Sequence, residues 1–580
     1  LLAGLAWFTL QSAAIAGAGD AAETWAALPV VAEHTRYGTT LMVRLGLLLL
    51  ATLASLMARP SSEHPIRTSI TLYASIVLIA AALGLQGFIG HAGATAGAAG
   101  NSLLLSEFLH LLAAGLWLGG LLPLWISLRV LPPAAAASVC LRFSPIALAC
   151  VLVLAGTGLV QGVQLIGSLP ALFGTRYGHI ALLKIGLFLC ALVLATVNRL
   201  WLTDRLAAAV TDARRHLLIS VSIETAIGLA IVTAAAFLAS TVPGAHQTPV
   251  WPFSWQPSLL AVQQDPDIRH QVLLSLLVIG VAALLMAAAL LWRRFRQAAL
   301  FVFLVAIIWR APSLSVLIVE AYPTSFQTSP TGFSAAAIAR GQALFAQNCV
   351  SCHGPEGEGN GPAAAGLQIK PADLTQPHIQ EHSDGEMFWF LSHGIEDPEG
   401  REAMPGFANT LSADDRWALI DYVRAHNAGV AIEQDVASEV PVRAPSFPIA
   451  CNGLAASTTA DLLGHAVLVV LGNPPSNEAT VPAKDAVTLI VPPDAAKPTA
   501  GSCVAADPAA WNAYAVLADL PLDEAAGTAL LVDPNGWLRA VQRPGTTGVW
   551  RSRDDLLAAI RGICTHPVNQ PSGGFHEHHH

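Results

Sequence analysis

Apolar runs set the plan of the chain. Crossing a bilayer takes about 20 consecutive, mostly apolar residues. Such runs occupy 1–18, 39–58, 68–90, 102–128, 144–168, 179–201, 217–240, 271–292 and 298–320. The pattern predicts about nine membrane helices, the last interrupted by Arg310 and Pro312. From residue 334 onward the pattern is that of ordinary soluble protein. A terminal helix is expected around 417–423, before short apolar strands at 466–471 and 486–491. A helix around 511–517 follows, then a strand, a turn at Asn535-Gly536 and a second strand. A closing helix spans 554–563. The chain thus reads as a polytopic α-helical membrane bundle (1–323), an all-α unit (334–428), an α/β unit (441–566) and a His-rich tail (567–580) that is either native or a purification tag. Residues 321–333 and 428–448 read as linkers.

Charge orients the membrane part. Only 12% of the 580 residues are charged and 54% are hydrophobic, against a charged share of about 25% in soluble domains. The net charge of −9 comes largely from the soluble half and excludes nucleic acid as an expected partner. One set of loops holds Arg59, Arg67, Arg129, Arg142, Arg199, Arg205, Arg214, Arg215, Arg293, Arg294 and Arg296, while the alternate loops hold only Arg36, Arg176 and Arg269. By the positive-inside rule the first set is cytoplasmic, so everything after 321 is extracytoplasmic. Loop 241–270, with Trp251 and Trp255, is expected on the outer membrane surface. The chain opens on Leu1 inside an apolar run, so its native start is expected upstream.

One motif carries definite chemistry. Cys349-Val-Ser-Cys352-His353 offers two thiols three residues apart and an imidazole in the same turn, the spacing for two thioethers and an axial iron ligand. With the segment 340–345, with Ala403-Met404-Pro405-Gly406-Phe407 and with the helix around Trp417, it makes residues 334–428 resemble a class I monohaem cytochrome c. The resemblance implies haem c bound through Cys349 and Cys352, with His353 as proximal ligand and Met404 as distal ligand; His393 is the competitor for the distal place. A thioether ligand favours ferrous iron and raises the potential. It also implies electron transfer, and haem attachment on the outer side of a bacterial inner membrane, which agrees with the charge pattern.

The bundle has its own signature. The stretch from Phe108-Leu-His110 to Trp117-Leu-Gly-Gly120, then Arg142-Phe-Ser-Pro145, then Tyr177-Gly-His179 through Lys184 to Asn198-Arg199 resembles the CopD family of copper-resistance membrane proteins over about 30–243, best over 142–240. The resemblance implies copper handling across the inner membrane. Ionisable groups inside membrane spans are costly and usually mark function. His34, His91, Glu107, His110 and His179 all fall on the outer half by this topology, as candidate ligands for copper or for haem b. Scattered methionines and the isolated Cys140, Cys150 and Cys190 offer no sulfur path for Cu(I). Lys184 and Glu224 also lie within spans, where a Lys–Glu pair or a proton path is open.

The α/β unit resembles a thioredoxin-like domain but lacks CxxC. Of Cys451, Cys503 and Cys564, two are expected to form a disulfide in an oxidising compartment; a docking or structural role is the expectation. Two functional readings follow. In the first, a membrane-anchored c-type cytochrome transfers electrons on the extracytoplasmic side, coupled to a bundle with a histidine-based haem b or copper site. In the second, the protein transports or balances copper, and the haem domain serves copper redox or sensing. Membrane lipid and a redox partner protein or a respiratory or oxidase complex are the expected partners. An electron-transfer subunit is expected rather than a stand-alone enzyme.

Overall fold

The structure is a computed structural model and describes residues 2–57, 65–90, 97–289, 295–397, 399–433, 442–472, 486–494, 497–498, 501–545 and 550–568. The chain divides into two compact units, Leu1–Pro249 and Val250–His580.

The first unit is built from α1 (Leu2–Ala16), α2 (Ala21–His34), α3 (Arg36–Met57), α4 (Pro65–Gly84), α5 (Gly97–Val130), α6 (Pro133–Leu165), the single turn α7 (Leu169–Gly174), α8 (Arg176–Val197), α9 (Thr203–Ala207) and α10 (Ala213–Ala239). Among the described residues of the whole chain, eight helices are long and apolar enough to cross a membrane. The ninth expected span is the shorter α1, of 15 residues. Residues 21–34, which fall between the expected spans, form α2: the Asp20 side chain caps it by accepting from Glu23 N–H, although Pro29 lies inside. The capping bond satisfies an otherwise orphaned backbone donor.

α5 and α6 run for 34 and 33 residues, about 50 Å at 1.5 Å per residue, well past the apolar stretches that predicted them. The C-terminal half of α5 and the N-terminal half of α6 meet α9 and α10 in a core of Leu121, Leu124, Leu128, Cys140, Leu206 and Leu217. Cys140 is therefore a small packing residue, as is Cys150 in the neighbouring core with Ala113, Trp117 and Leu154. Between α8 and α9 the chain makes a π-helical turn, Asn198–Leu202.

The second unit opens with α11 (Leu260–Gln264), α12 (Pro266–Ala289) and α13 (Arg296–Arg310). The segments flanking them pair as an antiparallel hairpin of β1 (Trp255–Pro257) and β2 (Ile318–Glu320). Trp251 is buried, with its ring edge-on to Phe253 and Phe326 and its indole N–H donating to Trp255 O at 2.9 Å. Trp255, by contrast, is exposed. The haem unit follows with α14 (Ala335–Asn348), α15 (Val350–His353), α16 (Asp384–His393), the short pair β3 (Ile395–Glu396) and β4 (Glu402–Met404), and α17 (Ala413–Glu433). α17 continues through residues expected as linker. α14 crosses α17 at Gly341, where a Cβ would lie 2.0 Å from Ala418 O, so no side chain fits.

The last unit is a seven-stranded sheet in the order β5 (Val442–Arg443), β11 (Trp537–Gln542), β10 (Ala529–Val532), β7 (Ala466–Leu471), β8 (Ala486–Val491), β9 (Ser502–Ala505), β6 (Ile449–Cys451). β7, β8 and β9 are parallel; β10, β11, β5 and β6 pair antiparallel. Successive β7 residues face opposite ways, as the period of two demands. Leu468 and Val470 pack under α19 (Arg553–Thr565) with Leu556 and Ile560. Val467, Val469 and Leu471 face α18 (Ala509–Leu517) in a core that also holds Ile338, Phe345, Leu419 and Tyr422 of the haem unit. The sheet is buried on both faces, and the haem domain joins the core on the α18 side, where α14 and α17 pack against α18. At Gly429, α17 approaches α18 closely: a Cβ there would lie 2.6 Å from Val516 O. Cys451 and Cys503, opposite each other on β6 and β9, form a disulfide. The His-rich tail lies outside the described residues from 569 onward.

Candidate haem centre and a polar site in the bundle

α14 delivers the chain to Cys349, and α15 folds the motif into one turn. Cys352 and His353 N–H both donate to Cys349 O, at 3.1 and 2.9 Å. Gly354, at φ +79°, reverses the chain in a region that disfavours side chains. Cys349 and Cys352 are free thiols, so both are available for thioethers. Burial pushes the Cys349 thiol up to about 11, with the nearby Cys352 adding to it. His353 Nδ1 donates to Ala372 O at 2.9 Å. That bond fixes the tautomer and leaves Nε2 as the ligating nitrogen. Burial lowers the His353 pKa, against the opposing effect of the Ala372 bond; iron ligation needs this neutral imidazole. The donor set and the fixed ring fit a haem c.

Met404 ends β4, paired with Ile395 of β3, and is half-buried. His393, the competing distal ligand, is exposed and stacks on Trp389 with ring centroids 3.7 Å apart, its Nδ1 donating to Trp389 O at 3.3 Å.

α17 clamps the loop after the motif through residues that the sequence pattern did not single out. His426 Nε2 donates to Glu356 O at 2.9 Å, and its Nδ1 lies 3.9 Å from Asp519 of the sheet unit. Asn427 donates to Leu374 O and Gln376 O at 2.8 and 2.9 Å. Arg424 donates to Ile379 O at 2.8 Å and pairs with Asp384 at 3.1 Å. Their run within the terminal helix, Arg424-Ala-His-Asn427, was the available signal. Asp421 is 2% exposed and accepts from Thr331 Oγ1. Burial, with the charge of Asp384 adding to it, pushes its carboxyl up to about 7.

The bundle candidates are dispersed. His91 lies outside the described residues. His34 is exposed at the end of α2, and His179 is exposed with Nε2 donating to Phe173 O at 2.6 Å. Among the described residues no group of three or more His, Cys, Asp or Glu could hold a metal ion. Glu107 and His110 do share a face of α5. His110 Nδ1 donates to Thr157 Oγ1 of α6 at 2.8 Å, because that hydroxyl already donates to Val153 O at 2.6 Å. Its Nε2 is therefore the nitrogen left for a ligand. Lys184 of α8 lies within electrostatic reach of both Glu107 and His110. The expected pair of Lys184 with Glu224 is thus corrected: the carboxyl within electrostatic reach of Lys184 is Glu107. Glu224 belongs to a separate site with Trp117 and Asn198.

Comparison with known proteins bears on both parts of the chain. Residues 336–423 match the family model described as cytochrome C oxidase, cbb3-type, subunit III. Residues 137–238 match copper resistance protein D, and residues 1–101 match the copper resistance protein D-like N-terminal domain. The chain carries a copper resistance protein D domain and a cytochrome c domain. The copper transport protein CutJ of Bacillus subtilis (strain 168) is 37% identical over 145 residues, 24% of this chain and 26% of CutJ. The matched stretch thus spans about a quarter of that relative. The copper resistance match falls inside the stretch whose residues resembled CopD.

Proposed function

We propose that the protein is a copper-handling membrane protein whose cytochrome c domain carries electrons on the extracytoplasmic side. The observation that carries the electron-transfer part is His353: its Nδ1 is held by Ala372 O, so Nε2 is presented in the turn that also holds both thiols. Cys349 and Cys352 would hold the haem covalently, His353 and Met404 would bind its iron, and the bound haem would supply one-electron transfer. His426, Asn427 and Arg424 keep the loop around it in one conformation. The arginine pattern and the Cys451–Cys503 disulfide both support an oxidising, extracytoplasmic setting for these domains.

Copper handling by the bundle is supported by its copper resistance protein D match and by the similarity to a copper transport protein. Within it, His110 Nε2 and Glu107 are the ligand candidates that share a helix face, for copper or for haem b. The thioredoxin-like reading of the sheet unit is supported by its parallel β7–β8 pair beside the antiparallel β10–β11 hairpin, and its role is that of a structural partner to the haem domain. A redox protein or an oxidase complex is the partner to seek.

A reduced-minus-oxidised spectrum of the purified protein, with pyridine haemochrome quantitation and metal analysis, tests this reading. One haem c with stoichiometric copper is the expected result. One haem c with haem b and no copper would make the bundle an electron conduit instead, and absence of covalent haem would overturn the reading.

A further inference from the structure

Inside the bundle, α5, α8 and α10 enclose a carboxyl that the haem and copper readings leave unused. Glu224 is 4% exposed. It is the twelfth residue of α10, about 16 Å along that helix and so near the middle of a hydrocarbon layer of about 30 Å. None of the ion pairs among the described residues involves it. Its neighbours are neutral. Asn198 Nδ2 donates to Glu224 Oε2 at 3.3 Å, and the Trp117 indole N–H lies within hydrogen-bonding reach.

Two buried oxygens beside it have no hydrogen-bond partner: Asn198 Oδ1 and Ser220 Oγ. Ser220 sits one turn before Glu224 on the same face of α10. A buried polar atom without a partner costs about 1–3 kcal/mol, so two of them beside one carboxyl mark an incomplete site. Asn198 also stands at the start of the π-helical turn, a local departure from α geometry that recurs at functional positions.

The atoms here that could ligate a cation are all oxygens, those of Glu224, Asn198 and Ser220. Such a set is hard and unsuited to Cu(I), which draws on sulfur. Two N–H groups already face the carboxylate, which disfavours a metal cation there. A proton is different. The neutral acid needs one acceptor for its O–H, and Asn198 Oδ1 or Ser220 Oγ supplies it. An amide turned over about its terminal bond donates to the carboxylate or accepts from the acid, so Asn198 serves both states. The outer cluster of Glu107, His110 and Lys184 lies on the same helices. It is separated from Glu224 by an apolar block including Ala113, Leu154, Phe188 and Ala191.

We propose that Glu224 is an exchangeable proton site in the membrane interior, and that cation movement through the bundle is coupled to its binding and release of one proton. Binding converts the carboxylate to the acid with no other bond changed. The coupling rests on the copper-handling reading; the proton site does not.

Dicyclohexylcarbodiimide tests the site on the full-length protein in detergent. It adds to protonated carboxyls in apolar surroundings: the acid proton passes to a carbodiimide nitrogen while the carboxyl oxygen bonds to its carbon. The expected result is one adduct on the peptide holding Glu224, several-fold less abundant at alkaline than at neutral pH, and none on that peptide in Glu224→Gln. An unmodified Glu224, or labelling indifferent to pH, would overturn the proposal. Protection by sodium chloride at fixed pH and ionic strength would also overturn it in favour of a sodium site. If Glu224→Gln does not fold, judged by its haem spectrum and elution volume, the wild-type labelling and its pH response still decide. Vesicles holding the protein and a pH dye then test coupling with copper ions alone. Wild type is expected to move protons when copper is added, and Glu224→Gln to lose that response. Copper entry without proton movement in wild type would overturn the coupling, whereas failure to move copper at all, with Glu224 labelled, would sink the transport reading and leave the proton site standing.

Discussion

In the haem domain, four candidate ligands come from two short segments, 349–353 and Met404, and backbone hydrogen bonds hold the motif turn. In the bundle, five candidates come from α2, α5, α8 and the stretch at His91, and the described ones do not gather. Local spacing sets the geometry of a ligand turn, because a helical turn fixes which groups meet. Matched depth along a membrane normal fixes only one coordinate, and the rotation of each helix decides the other two. Glu107 and His110 do share a face, since three residues on one helix make neighbours of them. His34 and His179, on other helices, are exposed.

The largest expected effect sits at the motif. Replacing Cys349 and Cys352 together by Ala removes all haem from the denatured chain, read by haem staining after gel electrophoresis; haem retained there would show that other residues hold it. Met404→Ala keeps the covalent haem but turns its spectrum high-spin and lowers its midpoint potential. An unchanged spectrum would pass the distal role to another side chain.

Next comes the sheet unit. Cys451 and Cys503 close a loop spanning 52 positions, so Cys451→Ser with Cys503→Ser costs about 4 kcal/mol by loop entropy. Because the sheet shares its core with the haem domain, denaturant melting followed by haem absorbance shifts together with that followed by far-UV ellipticity. Two separate transitions would restore two independent domains.

Asp421 gives a smaller, pH-dependent effect. Its folded pKa, about 7, lies above its ordinary value of 3.8, so the folded state binds the proton more tightly. This stabilising contribution is full below about pH 4 and is lost as the pH rises through about 7. Asp421→Asn is expected to flatten that decline in the melting temperature of the haem domain. A decline of the same depth in the variant would move its origin elsewhere.

The smallest effect belongs to the bundle. His179→Ala loses one hydrogen bond to Phe173 O, about 1 kcal/mol, and leaves copper and haem b content unchanged. Loss of bound metal in this variant would bring the dispersed histidines back as a site.

The sequence by itself determined the membrane helices, the haem turn and the copper resistance signature, because each depends on residues close in the chain. Apolar length, a three-residue thiol spacing and an adjacent histidine are local quantities. It also narrowed the disulfide to three cysteines; the pairing of β6 with β9 chose Cys451 and Cys503. α2 escaped because a 14-residue helix containing Pro29 is too short to read as a span. Only the tertiary structure decided that Lys184 accompanies Glu107, that Trp251 is buried, and that the sheet unit completes the haem domain's core. Those facts depend on how helices rotate and which faces meet. The same alternation that marks Val467, Val469 and Leu471 as one face of a strand leaves open whether its cover comes from the same domain or from its neighbour.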